Sequence, residues 1–295
     1  MSKLQYALYT GCTARESTPE LLSSTLAVGD KLGIELNILE EASCCGASHL
    51  QDFDPFLSDV LNARNICYAE KMGFTMVTLC NTCQINLSLT KEKLDNDSVY
   101  RAKVNEKLKE TGLEYKGSVA IKHFLYVLVD DFGIENIKTK VKVPLSEYNI
   151  APFYGCHNIR PSELHAKNNG GENPYKPTSL ERLIEALDGV SVEYASKNKC
   201  CGFHVDLQAP QTSNTLTGNA LVDAIDNNAD IVVTPCPLCH LNMDIKQESA
   251  GKLLGRDINI PVLHMPQMVA LALGCTTKEI GLKYHISKAT HLKGA

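Results

Sequence analysis

Short runs of β-branched and aliphatic residues alternate along this chain with longer stretches whose apolar positions recur every three or four residues. In the first half the runs 5–10, 34–39 and 74–79 read as strands. A helix over 19–32 follows the first run, with Thr18 as its cap, Pro19 at its first position and Gly33 beyond its end. Asp54 and Pro55 open a second helix over 55–72, closed at Gly73, and helical periodicity continues over 81–95, 99–111 and 121–133. The second half repeats the order: strand 149–154, helix 179–188 ending at Gly189, strand 190–195, helix 212–228 and strand 230–235. Its last stretch, IPVLHMPQMVALALG (260–274), parallels the end of the first half. This alternation predicts an α/β chain of two similar units, each a mostly parallel sheet with flanking helices. The polar, proline-bearing segment VKVPLSEYN (141–149) reads as the linker, which divides the chain into 1–147 and 148–295.

The cysteines repeat in the same register. Cys12, Cys44-Cys45-Gly46 and Cys80-x-x-Cys83 are followed by Cys156, Cys200-Cys201-Gly202 and Cys236-x-x-Cys239. The offset is 144 at the first cysteine and 156 at all later ones, and 34 residues separate the vicinal pair from the next cysteine in both halves. The extra 12 residues fit an insertion around KNNGGENPYKPT (167–178), whose Gly, Asn and Pro content predicts a loop. Every cysteine group follows a predicted strand, and in parallel sheets ligands gather at the carboxyl ends of strands. Cys67 and Cys275 fall outside the pattern and read as buried core residues.

Composition narrows the chemistry. A chain of 295 residues with 44% hydrophobic and 21% charged residues has the balance of a soluble globular protein. A net charge of −5 argues against a nucleic-acid partner. The start, MSKLQYALYTGC, has no apolar signal core. The apolar runs FLYVLV (124–129) and MVALALG (268–274) fall far short of the roughly 20 residues that span a bilayer. A cytoplasmic chain is therefore expected, held to a membrane only through a partner. Twelve cysteines in a reducing compartment point to metal binding or redox work rather than disulfides.

Five cysteines per half exceed the four ligands of a structural zinc site or an ordinary iron–sulfur cluster. A tetrahedral site with a spare cysteine stays open. An enlarged iron–sulfur cluster uses all five, since thiolates are soft donors, and the glycine after each vicinal pair lets both sulfurs turn to one centre.

This doubled pattern resembles the tandem CCG-domain proteins, and with YGCHNIRP (154–161) it is similar to the B-type component of heterodisulfide reductase across essentially the whole chain. The resemblance implies two noncubane [4Fe-4S] clusters near the junction of the halves. Cys12, Cys44, Cys45, Cys80 and Cys83 would hold one, and Cys156, Cys200, Cys201, Cys236 and Cys239 the other. It further implies the catalytic component of an oxidoreductase complex that cleaves or forms a disulfide or sulfur-carrier bond. Its partners would be a ferredoxin-like protein and a flavin-containing protein of the same complex, with a disulfide, thiol or lipoyl-bound sulfur as substrate. The same superfamily includes electron-transfer components of 2-hydroxyacid and succinate oxidoreductases, which is the alternative; a non-catalytic zinc protein is a third.

His157 and His204 are the candidate proton donors, beside the second-half motifs, with His49 and His240 also near cysteines. His123, His264, His285 and His291 carry no signal of their own. Arg160 is a candidate contact for an anionic substrate, or the partner in a surface salt bridge.

Overall fold

The computed structural model describes residues 3–164, 172–289 and 292, so residues 167–171 of the predicted insertion and His291 lie outside it. Two four-stranded parallel sheets form, both with strand order second, first, third, fourth. The first holds β1 (Gln5–Tyr9), β2 (Glu35–Ile38), β3 (Met76–Thr78) and β4 (Ile121–His123). The second holds β5 (Asn149–Pro152), β6 (Val190–Ser191), β7 (Ile231–Thr234) and β8 (Val262–His264). The register repeats too: Ala7 pairs beside Met76 in one sheet and Ile150 beside Ile231 in the other.

β4 corrects the predicted helix over 121–133. Ile121 pairs beside Met76 and His123 beside Thr78, and helical winding begins only at Phe124. Three residues are too few for a two-residue alternation to stand out against the helical pattern that follows. The winding widens to a π-helix over Val127–Gly133, burying three consecutive residues, Val127, Leu128 and Val129. The predicted strand 190–195 contracts to Val190–Ser191. A short helix, Ala47–Phe53, follows the first vicinal cysteines where none was predicted.

The halves clasp each other reciprocally. The last α-helix of the second half, Met265–Ala272, packs on the first long helix of the first half, Pro19–Leu32. The helical segment 124–138 that ends the first half packs on Ser179–Ala186, the corresponding helix of the second. Such an exchange is the pattern of a twofold interface between like units. Each of the two apolar clusters accordingly draws on both halves. One joins Leu8, Val28 and Phe124 to Leu183 and Leu271, and the other joins Tyr9, Ile66 and Leu87 to Phe153 and Leu221. Each such side chain contributes about 1.5–3 kcal/mol on burial, so neither half is built to stand alone. The segment between the sheets is pinned as well: Lys142 and Val143 donate backbone hydrogen bonds to Ala272, and Leu145 to Leu187.

In each sheet the strand order reverses direction at the first strand, and the crevice for a ligand lies there, at the carboxyl ends. Cys12 and Cys80 follow β1 and β3, and Cys156 and Cys236 follow β5 and β7. Among the described residues no helix is long and apolar enough to cross a membrane.

Candidate metal centre

The vicinal cysteines sit on loops that the backbone shapes around sulfur. Gly46 and Gly202 adopt φ of 83° and 89°, a region that L side chains avoid, and each donates its N–H to the sulfur two residues back, Cys44 or Cys200, at 3.3 Å. A Cβ on Gly202 would stand 2.8 Å from the Ser213 carbonyl. The carbonyls of the second cysteines are held from outside. Asn242 Nδ2 donates to Cys201 O at 2.7 Å. In the first half its repeat equivalent, Asn86, reaches Cys45 O at 3.5 Å, and Asn62 donates to the same carbonyl at 3.1 Å. The helix Pro55–Met72 thus turns Asn62 and Asn65 inward, because the loop it covers presents backbone polar groups: Asn65 both accepts from Ser43 N and donates to Ser43 O.

A second pair of glycines makes room for the CxxC sulfurs. A Cβ on Gly11 would lie 3.2 Å from Cys83 Sγ, and one on Gly155 only 2.8 Å from Cys239 Sγ. Both have positive φ, 67° and 69°.

All ten motif cysteines converge. In the first half the thiols run in contact from Cys12 to Cys44, Cys45, Cys83 and Cys80, with Cys45 and Cys83 sulfurs 3.4 Å apart. In the second they run from Cys156 to Cys200, Cys201, Cys239 and Cys236. Cys80 and Cys236 join the two rows at 4.0 Å. The inner six thiols are buried, while Cys12 and Cys44 are exposed and Cys156 and Cys200 half-buried.

Crowding decides their ionisation. Cys12 is pushed up by its hydrogen bond to Cys44 and then by burial, and Cys83 and Cys239 are pushed up by Cys45 and Cys201 first. Contacts with Cys44 and Cys83 push Cys45 down, and those with Cys156 and Cys201 hold Cys200 down to about 2. A thiol that donates to a neighbour keeps its proton while the acceptor loses it, so the protein alone does not ionise all ten. Cationic centres would. The donor set is soft, convergent and provided with backbone N–H groups aimed at sulfur, which fits iron–sulfur binding.

The candidate histidines sit at the seam of the halves. Thr82, inside the first CxxC, places its hydroxyl 3.1 Å from His157 Nδ1 and 3.1 Å from His204 Nε2. Ser48 reaches the other nitrogen of His204 at 3.0 Å. Burial first, and the neighbouring His157 second, push His204 below the usual histidine range. His49 is exposed. Arg160 donates its backbone N–H to Cys156 O at 3.0 Å and lines a cavity of about 470 Å³ with Glu163 and Tyr175. Cys67 is buried and pushed up to about 12 by desolvation, an inert thiol, and Cys275 is buried likewise. Sequence reasoning missed Thr82 and Ser48, whose motif positions were the available signal. It also missed the grouping of His240 with His264 and His285, whose rings lie 3.7 and 4.7 Å from that of His240.

Comparison with known proteins identifies the family. The cysteine-rich domain family CCG matches residues 6–88 and again 150–244. The chain is 38% identical over 288 residues to the 8-methylmenaquinol:fumarate reductase membrane anchor subunit of Wolinella succinogenes, covering 98% of this chain and 99% of that one. It is 35% identical over 286 residues to the B-type component of the ferredoxin/F(420)H(2)-dependent CoB-CoM heterodisulfide reductase of Methanosarcina acetivorans, covering 96% and 93%. Among solved structures, a hypothetical protein from Helicobacter pylori superposes with a TM-score of 0.80 at 18% identity. That match covers 99% of this chain and 53% of the other, so the chain spans about half its length; the likeness is one of fold.

Proposed function

The chain belongs to the tandem CCG-domain family that includes the B-type component of heterodisulfide reductase, and we propose that it is the two-cluster, electron-carrying member of a multisubunit reductase. Cys12, Cys44, Cys45, Cys80 and Cys83 would hold one cluster, and Cys156, Cys200, Cys201, Cys236 and Cys239 the other. When bound, such clusters supply one-electron transfer at each half. The chain's residues supply the rest: ten thiolates, glycines that let sulfur approach backbone, and a buried seam that excludes water.

The observation that carries this reading is the 4.0 Å contact between Cys80 and Cys236. The two buried sulfurs leave no space for a substrate sulfur between them, and sulfurs in contact give electrons a short path from half to half. The Wolinella succinogenes relative, named as a membrane anchor subunit of a quinol:fumarate reductase and matched over nearly both full lengths, supports a relay between a quinol-side donor and a dicarboxylate-reducing partner. Membrane contact through such a partner, rather than a helix of this chain, accompanies that reading.

A second reading rests on the exposed thiols Cys12 and Cys44 and on His157 and His204, which share the Thr82 hydroxyl at the seam. Cleaving a disulfide to two thiols consumes two electrons and two protons, and His157 and His204 would supply the protons. Its partners would be a ferredoxin-like protein and a flavin-containing protein of the same complex, with noncubane clusters acting on a disulfide, thiol or lipoyl-bound sulfur.

Electron paramagnetic resonance on anaerobically purified protein tests both. Signals that respond to a menaquinol analogue and ignore coenzyme M and reduced lipoyl carriers support the relay. A signal that arises only with one thiol overturns it in favour of sulfur chemistry.

A further inference from the structure

Glu20, His240, His264 and His285 meet where the first helix, the second CxxC motif, the end of β8 and the C-terminal segment converge. Glu20, His240 and His264 are 3%, 2% and 0% exposed. His264 Nε2 lies 3.3 Å from Glu20 Oε1, and the His240 ring stacks on that of His264. Hydrogen bonding then runs out. Glu20 Oε2, both nitrogens of His240 and His285 Nδ1 are buried with no hydrogen bond of good geometry, the His240 and His285 rings meeting only the Val262 backbone. Native interiors leave few such atoms, and each calls for an explanation.

The internal repeat supplies a control. Gln84 stands 156 positions before His240. It accepts from Thr78 Oγ1 at 2.7 Å and donates to Ile121 O and Ser88 Oγ at 3.3 Å, so every polar group there is used. The second half carries an imidazole at this position and leaves it unsatisfied. Unsatisfied polar atoms are therefore no requirement of the fold.

One ligand atom each from Glu20, His240 and His285 lie within 4.8 Å of one another. Gln267 is oriented by accepting from His264 N and donating to Ile280 O, so its amide N–H faces His285 Nε2 at 2.9 Å and marks that nitrogen as a lone-pair site. The C-terminal segment is pressed onto the acid: Gly281, at φ 70°, would bring a Cβ within 2.6 Å of Glu20 Cβ. A cavity of about 380 Å³ bordered by His285, Leu282, Ser287 and two lysines gives a path from solvent.

We propose that Glu20, His240 and His285 bind a divalent transition-metal cation, zinc or ferrous iron, at a site separate from the ten-cysteine centre. Two imidazoles and one carboxylate are the donor set of such ions. His264, hydrogen-bonded to Glu20, orients the carboxylate, the usual role of a group behind a ligand. The cation takes the His285 lone pair in place of one Gln267 amide hydrogen, and the amide keeps its other hydrogen on Ile280 O. It thereby ties the first helix, the second cysteine motif and the C-terminal segment to one point.

Zinc, iron and acid-labile sulfide are counted on the whole protein, purified anaerobically and desalted after exposure to zinc chloride. About one zinc per chain, or iron exceeding sulfide by about one, is expected. Glu20→Gln and His285→Asn should each lose most of that extra metal while cluster iron and sulfide stay unchanged. Equal extra metal in the native protein and both variants assigns it to the cysteines and overturns the proposal, as does native protein that retains none. Should Glu20→Gln fail to fold, His285→Asn decides alone, since that ring is only half-buried on the C-terminal segment.

Discussion

Cys80 and Cys236 are repeat equivalents, 156 positions apart, and their sulfurs lie 4.0 Å from each other. Residues meet their own equivalents only on a local twofold axis, so the axis of the duplication runs between these thiols. Ser48 and His204, also 156 apart and hydrogen-bonded at 3.0 Å, lie on the same seam. Duplication thus has a functional consequence: two like centres are forced together by their own symmetry.

Cys80→Ser and Cys236→Ser should therefore each cost one half its cluster. Iron and sulfide are expected to fall by about half in either variant, because each half retains its own full ligand set when the other is broken. Elemental analysis checks the count, and a loss of all iron from one variant would mean that the halves share a single centre.

The paired glycines should differ in tolerance. Gly155→Ala sets a Cβ 2.8 Å from Cys239 Sγ, whereas Gly11→Ala leaves 3.2 Å to Cys83 Sγ. Both add left-handed backbone strain of about 1–2 kcal/mol. Gly155→Ala is expected to lose the second cluster, and Gly11→Ala to keep most of the first, read as iron content at equal protein.

Asn242 makes three bonds, to Cys201 O, Ser213 Oγ and Thr217 Oγ1 at 2.7, 3.2 and 2.8 Å. Asn242→Leu leaves Cys201 O to the Thr217 hydroxyl alone and takes a donor from Ser213 Oγ and Thr217 Oγ1, and should destabilise by about 1–3 kcal/mol. Chemical denaturation of the anaerobic protein measures it; a change under about 0.5 kcal/mol, the scatter of surface substitutions, would remove Asn242 from the support of the cysteine loop.

Lys197 gives the clearest pH dependence. Burial lowers its pKa, but ion pairs with Glu181 and Glu193, both at 2.8 Å, outweigh that and raise it. A raised lysine contributes stability that is complete below its unfolded value of about 10.4 and disappears as pH climbs through the folded value. Native protein should therefore lose stability above that range, and Lys197→Met, already weaker by about 3 kcal/mol from stranding Glu181, should lose less. Melting curves from neutral to alkaline pH compare the two.

The ten cysteines were readable because the chain states them twice in one register. The strands that carry them were readable because β-branched runs end at each motif. β4 was hidden by its brevity, and the π-helix after it has no pattern of its own. Contacts across the seam left no trace along the chain. Glu20 and His264 are 244 positions apart, and His285 sits in a tail whose apolar pattern is weak. Histidines that gather only through the clasp of two halves look, in sequence, like isolated ones.

Thr82 decides between the two functional readings. One hydroxyl faces two imidazole nitrogens at 3.1 Å, and it has one hydrogen, so it donates to one ring and accepts from the other. With Ser48 on the far nitrogen of His204, the order Ser48, His204, Thr82, His157 forms a directed row in which a proton shifted at one end reverses every bond. Sulfur–sulfur cleavage needs protons, and an interrupted row should slow it by about 100-fold. Electron relay needs none. Thr82→Val removes the hydroxyl at nearly constant volume and should leave cluster iron unchanged, since the cysteines on either side keep their backbone. On the relay reading, reoxidation by the partner reductase stays within about twofold of native, a loss below about 0.4 kcal/mol. A hundredfold fall in thiol-forming turnover, restored by Thr82→Ser, would hand the function to sulfur chemistry.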